Sequence, residues 1–508
     1  MKAYEQLQQL ILVLNKEEKR KLKKRLLEQS EIYSRQKTLK LFELIDDNKA
    51  SSRLLTYRAL YDKDGQNQSF SKLCLRLKEK IYEVILAKSS ILSNQAAERT
   101  LKIFELRKKI NLIDLLVFKG YRFNIINELN SIIKSSHEFE VYDVELSALS
   151  TKFRLVFLKG NKQLNNKIMK SISMVQEEWR MFNEAQVIFT EINSKINKSN
   201  EFEDYKIDLE SAITSFNNYL KKSSSPTILY FKLFLEMDRA QKNENYFLAD
   251  KLLLEQYNTI RGFKSVYNIT REFNCTLNYA DNFIQLNNYS KALEYTARTK
   301  VLMQNHQLNF SLALELELLA LIYWGKVERA LPLSEKLQQL SYKLNNEYLL
   351  SRRLLMILNL HFINRNFQKV IELLTESREI DRDKEGLNII RRLMTILCKI
   401  ELNDLDSLEL NIQNMDKYIK RMMKSKYIQP RYLIIFRILR KLINDNFDYK
   451  KVYSSRKKQF DLLYSGQKEY KWKIKSPELV IFEEWFLSKV EKSHYNHAEV
   501  MNKRAAHI

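Results

Sequence analysis

The residues best placed to do chemistry in this 508-residue chain gather near its C-terminal end. Between Lys417 and Lys475 stand eighteen Lys/Arg and only four acids, Asp445, Asp448, Asp461 and Glu469, in a chain whose formal net charge is +24. Lys417, Lys420, Arg421 and Lys424 fall at helical spacing and share one face. Arg437, Arg440 and Lys441 repeat the stripe, and Arg456, Lys457 and Lys458 extend it. Lys471, Lys473 and Lys475 then flank Tyr470 and Trp472. Such a surface has two uses. Its charges suit an acidic protein partner, or they neutralise phosphates while the rings stack on unpaired nucleotides. Tyr418, Leu433, Phe436 and Leu439 are spaced as core, however, so a merely lysine-coated helical face is a third reading.

Nothing else in the sequence points to catalysis. Seven scattered Gly supply neither a G-x-G-x-x-G nor a G-x-x-x-x-G-K-[ST] phosphate cradle, and there is no H-E-x-x-H or nucleophile elbow. His137-Glu138 and His361 are isolated. His494 and His497 share a helical face in a polar tail expected to fray, a poor setting for a metal. The alternating charges of Asp381, Arg382, Asp383, Lys384 and Glu385 before Gly386 lack the spacing of a calcium loop and read as a turn between elements. No catalytic residue, no metal site, no cofactor and no small-molecule substrate are expected. Cys74, Cys275 and Cys398 lie in separate apolar runs and read as reduced core cysteines of a cytoplasmic protein.

The elements that must position these residues are helices. With seven Gly and four Pro in the whole chain, the turns a sheet protein needs are missing, and an all-α fold follows. No apolar run reaches the roughly 18 residues of a membrane span, and the start, broken by Glu5 and glutamines, does not read as a secretory signal. Residues 1–92 read as an N-terminal helical module, with helices at 5–14, 17–27, 36–45, 52–60 and 70–86. The turn from Asp62 to Gly65, with Lys72, Arg76 and Lys80 on the following helix, admits a DNA-binding helix-turn-helix as a second reading. Residues 93–222 read as irregular helix hairpins: 101–118 with 123–133 (Phe123 and Ile126 at anchor spacing), 141–157 with 164–175, and 179–196 with 202–220 behind an Asn200 cap. The run from Lys221 to Pro226 reads as a linker.

From 227 to 465 the pattern repeats. An anchor and the residue three later recur as Tyr246/Ala249, Tyr289/Ala292, Val327/Ala330, Phe367/Val370 and Leu405/Leu408, with a looser sixth instance at Phe447 and steps of 43, 38, 40, 38 and 42. A polar or Gly turn precedes each anchor, and an apolar helix precedes each turn. Stacked helix hairpins require this arrangement.

The segment carrying Ala280, Phe283, Asn287, Tyr289, Ala292 and Tyr295 resembles a tetratricopeptide repeat, with Ala280 and Ala292 where that family has its small residues and Asn287 where it usually has Gly. The spacing near 40, against 34 in the family, and the missing Trp-Leu-Gly start and closing Pro mark it as divergent. The resemblance implies a right-handed superhelix (an α-solenoid) of antiparallel hairpins whose concave face receives a partner peptide or helix. Ser476, Pro477 and Glu478 read as the start of a capping helix, within a closing element at 476–492. The chain is thus expected to be a non-enzymatic interaction scaffold with a basic end favouring an acidic partner. The alternative is a regulator with a basic nucleic-acid-binding surface at either end and a peptide-sensing repeat domain.

Overall fold

The computed structural model describes residues 2–14, 16–27, 32–47, 52–61, 68–87, 98–157, 160–198, 202–303, 306–341, 346–380, 383, 386–423, 428–465, 469–474 and 476–505. Among them there is no strand. The chain forms two compact units, 1–179 and 180–508. In the first, α1 (Lys2–Val13), α2 (Lys16–Leu27), α3 (Ile32–Asp46), α4 (Arg53–Tyr61) and α5 (Gln68–Ala87) enclose a core that includes Leu7, Leu22, Phe42 and Phe70. Helical periodicity explains α5: Phe70, Leu73, Cys74, Leu77, Ile81 and Val84 are all buried on one face. A second core joins α6 (Glu98–Phe118), α7 (Ile125–Glu138) and α8 (Tyr142–Phe157). Phe123 does not anchor α7: it is exposed and precedes the helix, because Asn124 turns the chain through a left-handed conformation and hands the core positions to Ile125 and Leu129.

One helix, α9 (Lys162–Lys198), replaces the two expected at 164–175 and 179–196. The intervening Gln176, Glu177 and Glu178 are good helix formers and contain no breaker. The compact units divide within α9. The serine run before Pro226 is therefore no linker: Ser223 and Ser225 are buried in a tight turn, and the Ser225 hydroxyl caps the next helix by accepting from the Ile228 N–H at 3.2 Å.

The second unit continues with a 3₁₀ turn (Phe202–Asp204) and α10 (Lys206–Leu220). Six hairpins follow: α11 (Pro226–Lys242) with α12 (Tyr246–Gly262), α13 (Ile269–Gln285) with α14 (Tyr289–Leu302), α15 (Gln307–Tyr323) with α16 (Val327–Ser341), α17 (Glu347–Ile363) with α18 (Phe367–Glu376), α19 (Leu387–Glu401) with α20 (Leu405–Met423), and α21 (Pro430–Asn444) with α22 (Tyr449–Ser455) and α23 (Lys457–Tyr464). Then come α24 (Phe482–Val490) and α25 (His497–Ala505). Each helix from α10 to α19 packs on the next.

The polar turns do two jobs at once. In the α13–α14 turn, Asn287 adopts φ 55° and the Asn288 N–H donates to the Phe283 carbonyl at 2.8 Å, closing the end of the first helix. The Asn288 side chain then accepts from the Lys291 N–H at 3.2 Å and opens the second helix. Asn245 and Asn366 repeat the cap, and Glu244, Gly325, Arg365, Asn403 and Asn446 repeat the positive φ. This geometry fixes where the second helix begins, and so puts Ala249, Ala292, Ala330, Val370 and Leu408 in the buried contact between helices. Tyr246, Val327 and Phe367 are half-buried and Tyr289 is buried, while Leu405 is exposed. The sixth instance differs from the reading at Phe447. Phe447 itself lies in the turn at φ 60°, Asp448 caps the helix, and Val452 takes the buried position.

The closing element also departs from expectation. Residues 476–481 are not helical, and α24 starts only at Phe482. The reason is a competing partner for their backbone. Buried Asn359 on α17 accepts from the Leu479 and Val480 N–H groups at 3.1 and 3.0 Å and donates to the Pro477 carbonyl at 3.2 Å. The tail as far as 505 is not frayed either: α25 packs on α15, with His497 and Met501 buried.

Candidate partner-binding surfaces

Two surfaces of the second unit bear on partner binding: the face of the first helices, and the basic face of α20 to α23. The first helices are buried almost all round. In α15 every residue from Leu318 to Tyr323 is buried, and in α17 every residue from Leu355 to Leu360. A helix that is apolar all round needs cover on both sides. The second helices supply one side, and the chain's own C-terminal residues supply the other. Trp472 meets Tyr323 of α15 edge-on with ring centroids 6.1 Å apart. Asn359 of α17 holds 477–480 as described. Glu401 at the end of α19 accepts from Trp485 Nε1 at 2.6 Å and pairs with Lys489 at 2.7 Å. Arg431 of α21 binds Glu478 and Glu483.

The closest approach is at Gly325. A Cβ built there would lie 2.4 Å from the Ala498 Cβ, at a φ of +72° that L side chains rarely adopt. Gly325→Ala is therefore expected to loosen α25 and cost roughly 2–3 kcal/mol, strain and overpacking together. Urea unfolding and hydrogen exchange over 497–505 measure this. Adding Ala498→Gly should recover the overpacking part, and a Gly325→Ala protein as stable and as protected as the parent would disprove the contact.

On the basic face, Asp416 is the organising residue. It pairs with Lys420 of its own helix at 2.6 Å and with Arg440 of α21 at 3.3 Å, which sets the two predicted stripes side by side. Lys441 and Lys451 share Asp445, at 2.9 and 3.4 Å. Arg421 lies over the Tyr418 ring, 5.3 Å from its centroid. Lys417, Arg437, Lys457 and Lys458 are exposed and Arg456 is half-buried. Lys424 and Lys475 lie outside the described residues.

The sequence-predicted set does not stay together as one cluster. Lys471 and Lys473 reach Glu244 in the α11–α12 turn, at 3.7 and 2.6 Å, and the Lys473 hydrogen bond holds the Glu244 carboxyl below its usual range. Trp472 is corrected outright. It is buried, and its indole N–H donates to the Glu478 carbonyl at 2.6 Å, so its ring cannot stack on a nucleotide. Sequence reasoning missed Asp416, one residue outside the basic window, and the buried polar residues Asn359 and Arg431. A polar residue inside the apolar run 354–360 of α17 was the available signal for Asn359.

Elsewhere, Lys72 is exposed on α5 and Lys80 pairs with Glu83 at 2.9 Å, while the Asp62–Gly65 turn and Asn200 lie outside the described residues, as do Asp381, Arg382, Lys384 and Glu385. Asp383 accepts from the Leu387 and Asn388 N–H groups and so starts α19. Cys74, Cys275 and Cys398 are buried and free. Burial pushes the Cys275 thiol up to about 12. Among the described residues no group of His, Cys, Asp and Glu is arranged to hold a metal, and no helix is long and apolar enough to cross a membrane.

Hairpins with this turn chemistry, a buried small residue in the second helix and successive packing define a tetratricopeptide-like helical-repeat fold. Among solved structures, the chain is similar to a Signal Transduction ATPase with Numerous Domains protein with a tetratricopeptide repeat sensor from Pyrococcus horikoshii, at 12% identity and a TM-score of 0.42. The match covers 82% of this chain and 66% of that one, so this chain spans just under two thirds of that protein's length. No protein-family model matches the chain. No curated protein matches it either.

Proposed function

We propose that this chain is a non-enzymatic, cytoplasmic interaction scaffold that recognises an acidic protein surface through the basic face of α20 to α23. One observation carries the reading: Asp416 aligns the two stripes yet leaves Lys417, Arg437, Lys457 and Lys458 exposed, with no carboxylate within ion-pair distance among the described residues. Exposed cations that satisfy nothing within the fold are available to a partner. A peptide or helix bound on the face of the first helices α15 to α21 would have to take the place of the C-terminal residues that cover it, Trp472, 477–480 and His497 among them, which makes the basic face of α20 to α23 the stronger reading. The burial of Trp472 removes one of the two rings, Tyr470 being the other, on which nucleotide stacking relied.

The test is fluorescence polarisation with a labelled poly-glutamate peptide and a labelled single-stranded oligonucleotide, at low and high salt. The expected result is salt-sensitive peptide binding that the combined variant Lys417→Glu, Arg437→Glu, Lys457→Glu and Lys458→Glu weakens by about tenfold or more. All four side chains are exposed, so the fold should survive, and circular dichroism checks that. Peptide binding unmoved by the four reversals sinks the reading. Tighter binding of the oligonucleotide, lost on reversal, moves it to nucleic acid.

A further inference from the structure

Between α17, α18 and α19 lies a cavity of about 290 Å³, at the lower end of volumes that hold small organic ligands. Leu350, Leu354, Ile357 and Leu373 make its wall largely apolar, and two buried arginines, Arg353 and Arg391, interrupt that wall. The two are not alike. Arg353 is fully met: its Nε donates to Glu315 at 3.1 Å and its Nη2 to the Ser311 hydroxyl at 2.7 Å.

Arg391 is only 4% exposed, yet its Nη2 reaches only neutral groups, the Ser377 carbonyl at 3.1 Å and hydroxyl at 2.7 Å. Its Nη1 is buried with no hydrogen-bond partner among the described residues. The neighbouring carboxylate that would compensate it, Glu379, is held by Arg392 at 2.8 Å. Burial accordingly pushes the Arg391 guanidinium below its usual range. A buried cation whose nearby carboxylate, Glu379, only partly offsets its burial and is engaged by Arg392 is costly until an anion comes to it.

The mouth selects among anions. Glu347, Glu376 and Arg378 stand there exposed, and the net charge of about −1 they leave disfavours a multiply charged group such as phosphate. A single carboxylate on an apolar body suits both the wall and the mouth. We propose that this cavity binds a small organic carboxylate, its head paired with Arg391 and its body packed on Leu350, Leu354, Ile357 and Leu373. The site is separate from the basic face of α20 to α23 and does not depend on the reading given to that face.

The test is isothermal titration of the full chain with 4-methylpentanoate and 3-phenylpropanoate, against 4-methylpentanamide and inorganic phosphate as controls. At least one carboxylate should bind about tenfold or more tighter than either control. Arg391→Met should abolish that binding while leaving the unliganded melting temperature unchanged or higher, because it removes an incompletely compensated charge. Leu354→Trp should block binding with Arg391 intact, which guards against a folding failure of the first variant. The proposal is overturned if neither carboxylate binds, if the amide or phosphate binds equally well, or if either folded variant binds as the parent does.

Discussion

Arg431→Met is expected to destabilise the second unit by about 3–5 kcal/mol, the usual cost of removing one partner from a buried ion network. The guanidinium is nearly inaccessible and uses all three nitrogens: Nε and Nη2 donate to the two oxygens of Glu478, each at 2.8 Å, Nη2 also to Glu483 at 2.6 Å, and Nη1 to the Tyr470 carbonyl at 2.9 Å. Burial alone would lower the Arg431 pKa, but Glu478 and Glu483 outweigh it and hold the group well above its ordinary value. Removing it strands two buried carboxylates, leaving Glu483 with Arg504 at 2.9 Å and Glu478 with only the Phe482 N–H at 3.3 Å. Because burial already raises the Glu478 pKa and Arg431 opposes it, losing Arg431 raises it further, so the deficit should be small below pH ~4.5, where unfolded-state glutamates are also protonated, and grow as the pH rises. Urea titration across pH measures this. Adding Glu478→Gln should recover part of the loss, and a variant within about 1 kcal/mol of the parent at neutral pH would show that the network does not hold 470–483 in place.

That network also shows where sequence reasoning stops. Helical class, the order of the later hairpins and the start of the second helix in five of them, from Tyr246 to Leu405, were legible because they depend on local chemistry: turn residues at a fixed place, then a buried apolar residue three positions into the helix. Ala292 could be placed for that reason. Two long-range facts could not. The first is that α9 runs unbroken, since a helix of good formers carries no mark of which neighbours it will leave. The second is the course of 470–505. Ser476-Pro477-Glu478 has the local form of a helix start, but Asn359, over a hundred positions earlier, takes the Leu479 and Val480 N–H groups. The basic stripes were legible as spacing on a helix. Their division was not, because Asp416 joins two of them across helices and Glu244 draws two lysines elsewhere. One clue to the covered face stood in the composition of the first helices, whose apolar residues run on all sides where a half-exposed helix shows a stripe.

The second large effect expected is an acid sensitivity centred on His497. Its ring lies nearly parallel to that of Tyr323, 24° apart with centroids at 6.2 Å. The Tyr495 hydroxyl accepts from the Ile481 N–H at 3.1 Å, which leaves its own proton to donate to His497 Nδ1 at 2.9 Å. With the Tyr495 proton in that bond the imidazole proton sits on Nε2, which is buried with no hydrogen-bond partner among the described residues. The site thus accepts only the neutral ring, and burial pushes its pKa down to about 3. A depressed histidine favours the folded state fully above its unfolded pKa of about 6.5, and that contribution is lost as the pH falls from there toward 3, since the unfolded chain takes up a proton the folded one refuses. The loss should amount to about 2 kcal/mol by pH 5 and roughly 4–5 kcal/mol at the acid end of the window. His497→Phe keeps a ring against Tyr323 and removes the titration. Its stability should therefore fall less steeply than the parent's between pH 6.5 and 5, a window in which few ordinary carboxylates titrate. Parallel stability profiles for the two proteins would mean that His497 is reached by water in the folded state and that α25 is not sealed against α15.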